Sequence, residues 1–98
     1  MEYLPIFLDI RDRPCLVVGG GDVAARKVSL LARSRGSITV VAPQLSEALA
    51  AELAAGRIAH RARAFAPADV EGFDVVFAAT DDQPVNEAVA AACRERRI

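Results

Sequence analysis

The chain has 98 residues, 53% of them hydrophobic, and carries a net charge of −1. That length suits one small domain, and the near-neutral charge lacks the basic excess that phosphate-backbone binding requires, so no nucleic-acid partner is expected. No apolar run approaches the roughly 20 residues needed to span a bilayer, and Glu2, Pro5 and the charged residues 9–13 break up any leader-like opening, so a cytoplasmic chain is expected.

The opening "YLPIFLDI" is apolar and is expected to extend along the end of a sheet. "PCLVVGG", residues 14–20, is a continuous apolar run ending in glycines, the pattern of a strand covered on both faces. From Asp22 to about Arg35 the apolar residues Val23, Val28, Leu30 and Leu31 mark a helix, with Gly36 as its stop. "ITVVA", residues 38–42, is a second buried strand ended by Pro43. Ser46 then fits a helix N-cap before "EALAAELAAG", which Gly56 terminates.

Residues 57–65 alternate apolar and polar side chains, which predicts an edge strand with one wet face and an exposed His60. After a connection over residues 67–72, "FDVVFAAT" is a third buried run. The last helix takes Asp82 as N-cap, holds Pro84 in its first turn and ends among Arg94, Arg96 and Arg97, which complement the helix dipole. Cys15 and Cys93 form no CxxC pattern and are expected to be inert apolar fillers in a reducing compartment.

Strands alternating with helices predict an α/β, Rossmann-like parallel sheet in the order 3-2-1-4 with flanking helices. Ile98 has the character of the first residue of a further strand. Residues 1–98 are therefore expected to be a single nucleotide-binding domain from the N-terminal part of a longer enzyme.

Within this frame Gly19, Gly21 and Ala24 match G-x-G-x-x-G/A in the context the motif requires, after a strand and opening a helix. Gly19 permits the turn, Gly21 lets backbone approach a pyrophosphate, and Ala24 allows close helix–strand packing. The helix N-terminus offers free N–H donors to an anion. The alternative is a tight structural turn that binds nothing. Asp22 fits a first-turn carboxylate serving the helix N–H groups. The acid expected about 20 residues on, for ribose hydroxyls, is absent; Ala42, Pro43 and Gln44 stand there, so only backbone groups, the Gln44 amide and the Ser46 hydroxyl are available to hold a ribose. No Arg follows this strand to clamp a 2′-phosphate, which favours NAD over NADP.

Thr80 and Asp81 end the fourth strand, beside the glycine turn in the predicted order. Thr80 can contact a cofactor, Asp81 can line the crevice or cap the helix, and Asn86 is either surface polarity or part of the site. A lone His60 builds no metal site, and no serine or cysteine has a base beside it.

"LPIFLDIRDRPCLVVGGGDVAARK", "ITVVAP" and "AATDDQPVNEAV" followed by "RRI" resemble the N-terminal domain of siroheme synthase, the precorrin-2 dehydrogenase and sirohydrochlorin ferrochelatase family, across essentially the whole chain. The resemblance implies NAD-dependent oxidation of precorrin-2 to sirohydrochlorin, followed by Fe²⁺ insertion, in a full-length protein expected to be a homodimer. Carried over by position, Gly20, Gly21, Asp22 and Val23 contact NAD at the loop, Pro43 and Gln44 do so after the second strand, and Thr80 and Asp81 line the nicotinamide side. The family's catalytic aspartate falls beyond Ile98, so no catalytic residue is assigned here, and residues 1–98 are expected to bind NAD without turnover. An NAD-sensing regulatory module without catalysis is the alternative, disfavoured because Pro43 stands where such modules carry an acid.

Overall fold

The computed structural model describes residues 11–33 and 35–96. Among them are β1 (Pro14–Val18), α1 (Asp22–Arg33), β2 (Ser37–Val41), α2 (Glu47–Ala54), β3 (Ala59–Arg61), β4 (Val75–Ala78) and α3 (Gln83–Arg96), with a short 3-10 turn at Pro67–Val70. The strands pair in parallel in the order β3-β2-β1-β4, as the alternation of elements predicts. Val18 aligns with Val41 of β2 and Ala78 of β4, so three strands finish level at their carboxyl ends.

β1 lies inside the sheet, and Cys15, Leu16, Val17 and Val18 are each at most 2% exposed. Their alternation divides the core. Cys15 and Val17 pack with Ala24, Val28 and Leu31 of α1 and Leu49 of α2. Leu16 and Val18 face the other way, against Val70 of the 3-10 turn and Val89 and Ala92 of α3. Each such Val or Leu contributes roughly 1.5–3 kcal/mol by leaving water. Burial pushes the Cys15 thiol above its ordinary pKa, with Asp74 adding to the effect, in keeping with an inert filler.

Three expectations are corrected. α1 stops at Arg33, and the left-handed residue after it is Arg35, at φ 60°, rather than Gly36. The Gly36 N–H donates to the Leu31 carbonyl and the Arg35 N–H to the Ala32 carbonyl, the paired bonds of a Schellman ending. β3 spans three residues instead of nine, because the Arg63 N–H turns back to the Arg61 carbonyl at 2.9 Å and ends the pairing. β4 is shorter than residues 73–80 and is half-buried to exposed, since among the described residues it has a partner on one side only. An apolar run does not distinguish an inner strand from an outer one. The expected extended segment at residues 3–10 and the strand start at Ile98 lie outside the described residues.

Candidate functional site

The level carboxyl ends of β1, β2 and β4 open onto a crevice of about 860 Å³. This is the topological switch point of the sheet, where the connections leave in opposite directions and ligands bind in open α/β folds. Nine of the ten expected site residues line it: Gly19, Gly20, Gly21, Asp22, Val23, Pro43, Gln44, Thr80 and Asp81. The tenth, Ala24, is fully buried and packs in the core beneath the loop, the close-contact role its small side chain predicts.

The three glycines stand in three different surroundings. Gly19 has φ 133°, and a Cβ on it would lie 2.3 Å from the Ala79 carbonyl oxygen. Gly20 is closed from the other side, where a Cβ would lie 1.9 Å from the Gln44 carbonyl oxygen. Gly21 has nothing within 4 Å of the corresponding position and faces open space. The Ala25 N–H donates to the Gly21 carbonyl at 3.0 Å, so α1 starts here and its first-turn N–H groups have no intrahelical acceptor. The loop is therefore wedged between the end of β4 and the β2–α2 turn, with Gly21 and the α1 N-terminus facing the open crevice.

The β2–α2 turn is tied to this loop, since the Ser46 N–H donates to the Gly20 carbonyl at 2.7 Å. The Ser46 side chain caps α2 by accepting from the Leu49 N–H at 3.4 Å. His60 is half-buried instead of exposed: its Nε2 lies 2.8 Å from the Ala42 carbonyl, so the Nε2–H donates there and braces the end of β2.

At the β4 side, Asp82 caps α3 by accepting from the Val85 N–H at 3.3 Å, as expected. Asp81 is exposed on the crevice rim. Asn86 is neither surface polarity nor a crevice-lining residue. Its Nδ2 donates to the Thr80 carbonyl at 3.0 Å, and its Oδ1 accepts from the Thr80 hydroxyl at 2.7 Å. The Thr80 N–H approaches the same Oδ1 at 3.4 Å.

Two features escaped sequence reasoning. Ala64 and Phe65 line the crevice, carried there by the turn after β3. The available signal was position, since segments after strand carboxyl ends converge on the switch point. Behind them Asp69, 2% exposed, accepts from Arg61 Nη1 at 3.0 Å, from Arg63 Nη1 at 2.7 Å and from the Ala66 N–H at 2.8 Å. These donors, Arg63 first, hold the Asp69 carboxyl down at about 2. Among the described residues no group of three His, Cys, Asp or Glu side chains gathers into a possible metal site, and no helix is long and apolar enough to cross a membrane.

A family model described as "Putative NAD(P)-binding" matches residues 6–98. The chain belongs to this NAD(P)-binding family. Siroheme synthases are among its relatives: that of Methylobacillus flagellatus is 56% identical over 98 residues, covering 100% of this chain and 21% of the relative. The siroheme synthase of Methylococcus capsulatus is 52% identical over 99 residues, again covering all of this chain and 21% of its own length. The chain thus spans about a fifth of these relatives. Among solved structures it resembles SirC, a precorrin-2 dehydrogenase, with a TM-score of 0.84 and 32% identity over 90% of this chain and 44% of that one. The Rossmann-like sheet and the membership in an NAD(P)-binding family follow together from these likenesses and from the strand order.

Proposed function

We propose that this chain is the NAD-binding dehydrogenase portion of a siroheme biosynthesis enzyme, which oxidises precorrin-2 to sirohydrochlorin. The observation that carries the cofactor reading is the open α-carbon of Gly21 in a loop whose other two glycines are packed shut. A pyrophosphate fits where that Cβ is missing, opposite the free N–H groups of the first α1 turn. The siroheme synthase relatives and the precorrin-2 dehydrogenase neighbour support catalysis over a regulatory sensor.

In this reading Gly19 and Gly20 fix the shape of the loop, and the backbone at residues 21–23 holds the pyrophosphate. Pro43 and Gln44 wall the adenosine side, and Thr80 and Asp81 wall the nicotinamide side. The preference is for NAD over NADP. β3 does bring Arg61 level with Val41, but Asp69 already engages that guanidinium and the one on Arg63. Bound NAD supplies a hydride acceptor; oxidation of precorrin-2 yields that hydride and one proton. The proton acceptor, as the resemblance implies, is a carboxylate beyond Ile98. Fe²⁺ insertion into sirohydrochlorin and homodimer formation are assigned to the full-length enzyme.

The test is NADH formation from precorrin-2 and NAD by the longer protein that contains this domain. No NADH overturns the dehydrogenase reading. In parallel, residues 1–98 are expected to bind NAD in a calorimetric titration, and Gly21→Asp to abolish that binding by filling the pyrophosphate position.

A further inference from the structure

Thr80 lines the crevice, yet its hydrogen bonds run to Asn86 and Asp82 within the protein. The Asn86 carboxamide grips both polar edges of the Thr80 backbone, with Nδ2 3.0 Å from the carbonyl and Oδ1 3.4 Å from the N–H. Rotating this amide by half a turn would set Nδ2 against the N–H and Oδ1 against the carbonyl, so the network fixes its orientation. Oδ1 is therefore an acceptor facing the Thr80 hydroxyl at 2.7 Å. A hydroxyl has one proton, and here two internal acceptors are in reach, Asn86 Oδ1 at 2.7 Å and the Asp82 carbonyl at 3.0 Å. The Asp82 N–H donates back to the same hydroxyl oxygen at 3.2 Å.

The consequence is a polarity restriction. Both donors of Thr80, its N–H and its O–H, are spent within the protein. Its hydroxyl oxygen keeps one lone pair, and its carbonyl keeps another. Beside it Asp81 adds a carboxylate, which also only accepts. Across the crevice the α1 N-terminus offers donors and partial positive charge. One rim suits phosphates, and the other suits a ligand group bearing N–H.

We infer that Asn86 is a positioning residue: by taking up the Thr80 N–H and, with the Asp82 carbonyl, committing the Thr80 hydroxyl proton, it makes the β4 rim an acceptor surface that selects the carboxamide N–H₂ of the nicotinamide. This rests on the cofactor reading proposed above and goes beyond it, because it assigns how the carboxamide end of NAD is recognised and which residue sets that polarity. An NAD analogue with acetyl in place of carboxamide keeps the carbonyl and lacks the N–H₂. It leaves the acceptor rim unpaired.

The experiment compares NAD, the acetylpyridine analogue and ADP-ribose by equilibrium titration of residues 1–98, as wild type, Thr80→Val and Asn86→Ala. The wild type is expected to favour NAD over the analogue about tenfold, the worth of one hydrogen bond. Thr80→Val removes the hydroxyl acceptor and should lower that ratio, the Thr80 carbonyl and the Asp81 carboxylate remaining on the rim. Asn86→Ala exposes the Thr80 N–H and loosens the hold on the hydroxyl proton, so the ratio should fall while binding of the analogue is retained. ADP-ribose, which has no nicotinamide, should bind all three proteins alike. Equal binding of NAD and its analogue by the wild type overturns the inference while the cofactor reading stands. An Asn86→Ala protein that loses both ligands equally, with its ratio intact, shows a purely structural role and overturns the assignment to Asn86. Binding of none of the three ligands by the wild type overturns the cofactor reading and this inference together.

Discussion

The Gly20 α-carbon lies so close beneath the Gln44 carbonyl that a methyl group there would meet the oxygen at 1.9 Å. The Ser46 N–H donates to the Gly20 carbonyl in the same contact, so the loop and the β2–α2 turn behave as one unit. Gly20→Ala must push this turn away and is expected to cost about 3 kcal/mol of stability. Gly21→Ala enters open space and should change stability by no more than about 0.5 kcal/mol, yet weaken NAD binding about tenfold. Urea unfolding and NAD titration on both variants separate the two roles. A Gly20→Ala protein as stable as wild type would show the loop to be looser than described.

Asp69 ties part of the fold's stability to acid pH. Its carboxyl titrates at about 2 in the folded protein against an ordinary 3.8, because Arg63, Ala66 and Arg61 donate to the charged form. A depressed folded pKa contributes stability that is complete above the ordinary value and is lost as pH falls through the folded one, here between about pH 4 and 2. The contribution is about 2 kcal/mol at neutral pH. Asp69→Asn should lower stability by about 2–4 kcal/mol at pH 7, since two guanidinium groups lose their counter-charge. It should also flatten the acid limb of a stability profile measured by thermal unfolding. An unchanged acid limb would remove Asp69 from this role.

Arg35 occupies a left-handed conformation at φ 60°, where a side chain is strained and glycine is not. Arg35→Gly should therefore raise stability by about 0.5–1 kcal/mol, against the usual direction for glycine substitutions. Its backbone bonds to Ala32 and Asp12 remain available. A fall in the unfolding midpoint would mean that the Arg35 side chain contributes more than its backbone strain costs.

Ser46 lines the crevice, and its hydroxyl accepts from the Leu49 N–H as the cap of α2. Ser46→Ala is expected to destabilise α2 by about 0.5–1 kcal/mol and to leave NAD affinity within twofold of wild type, about the scatter of such titrations. A larger loss of affinity at unchanged stability would return Ser46 to the ribose site.

What could be read from the sequence was what local chemistry determines. The continuous run "PCLVV", the Ser46 and Asp82 caps and the glycines after β1 each carry their own signal, and right-handed crossovers leave few strand orders, of which 3-2-1-4 is the one observed. What could not be read depends on partners brought together only by folding. His60 meets the carbonyl of Ala42, 18 residues earlier, and Gly20 meets Gln44 across the crevice floor. Nothing local in the sequence marks Asp69, whose partners Arg61, at the end of β3, and Arg63, in the turn after it, reach it only on folding. Asn86 was legible as a polar helix residue, at the surface or in the site, but its partner was not, because the Thr80 backbone that it grips lies outside its helix. The outer position of β4 likewise has no signature in an apolar run.

The level finish of β1, β2 and β4 means that the crevice has no wall made by a single stretch of chain. Its parts come from near residues 20, 44 and 80, and each is in place only when all three strands are in register. A dinucleotide seated there would act as a clasp on the sheet. Every tenfold excess of ligand over its dissociation constant would add about 1.4 kcal/mol against unfolding of the whole domain. A ligand-dependent rise in melting temperature thus reports on sheet integrity as directly as on the cradle itself.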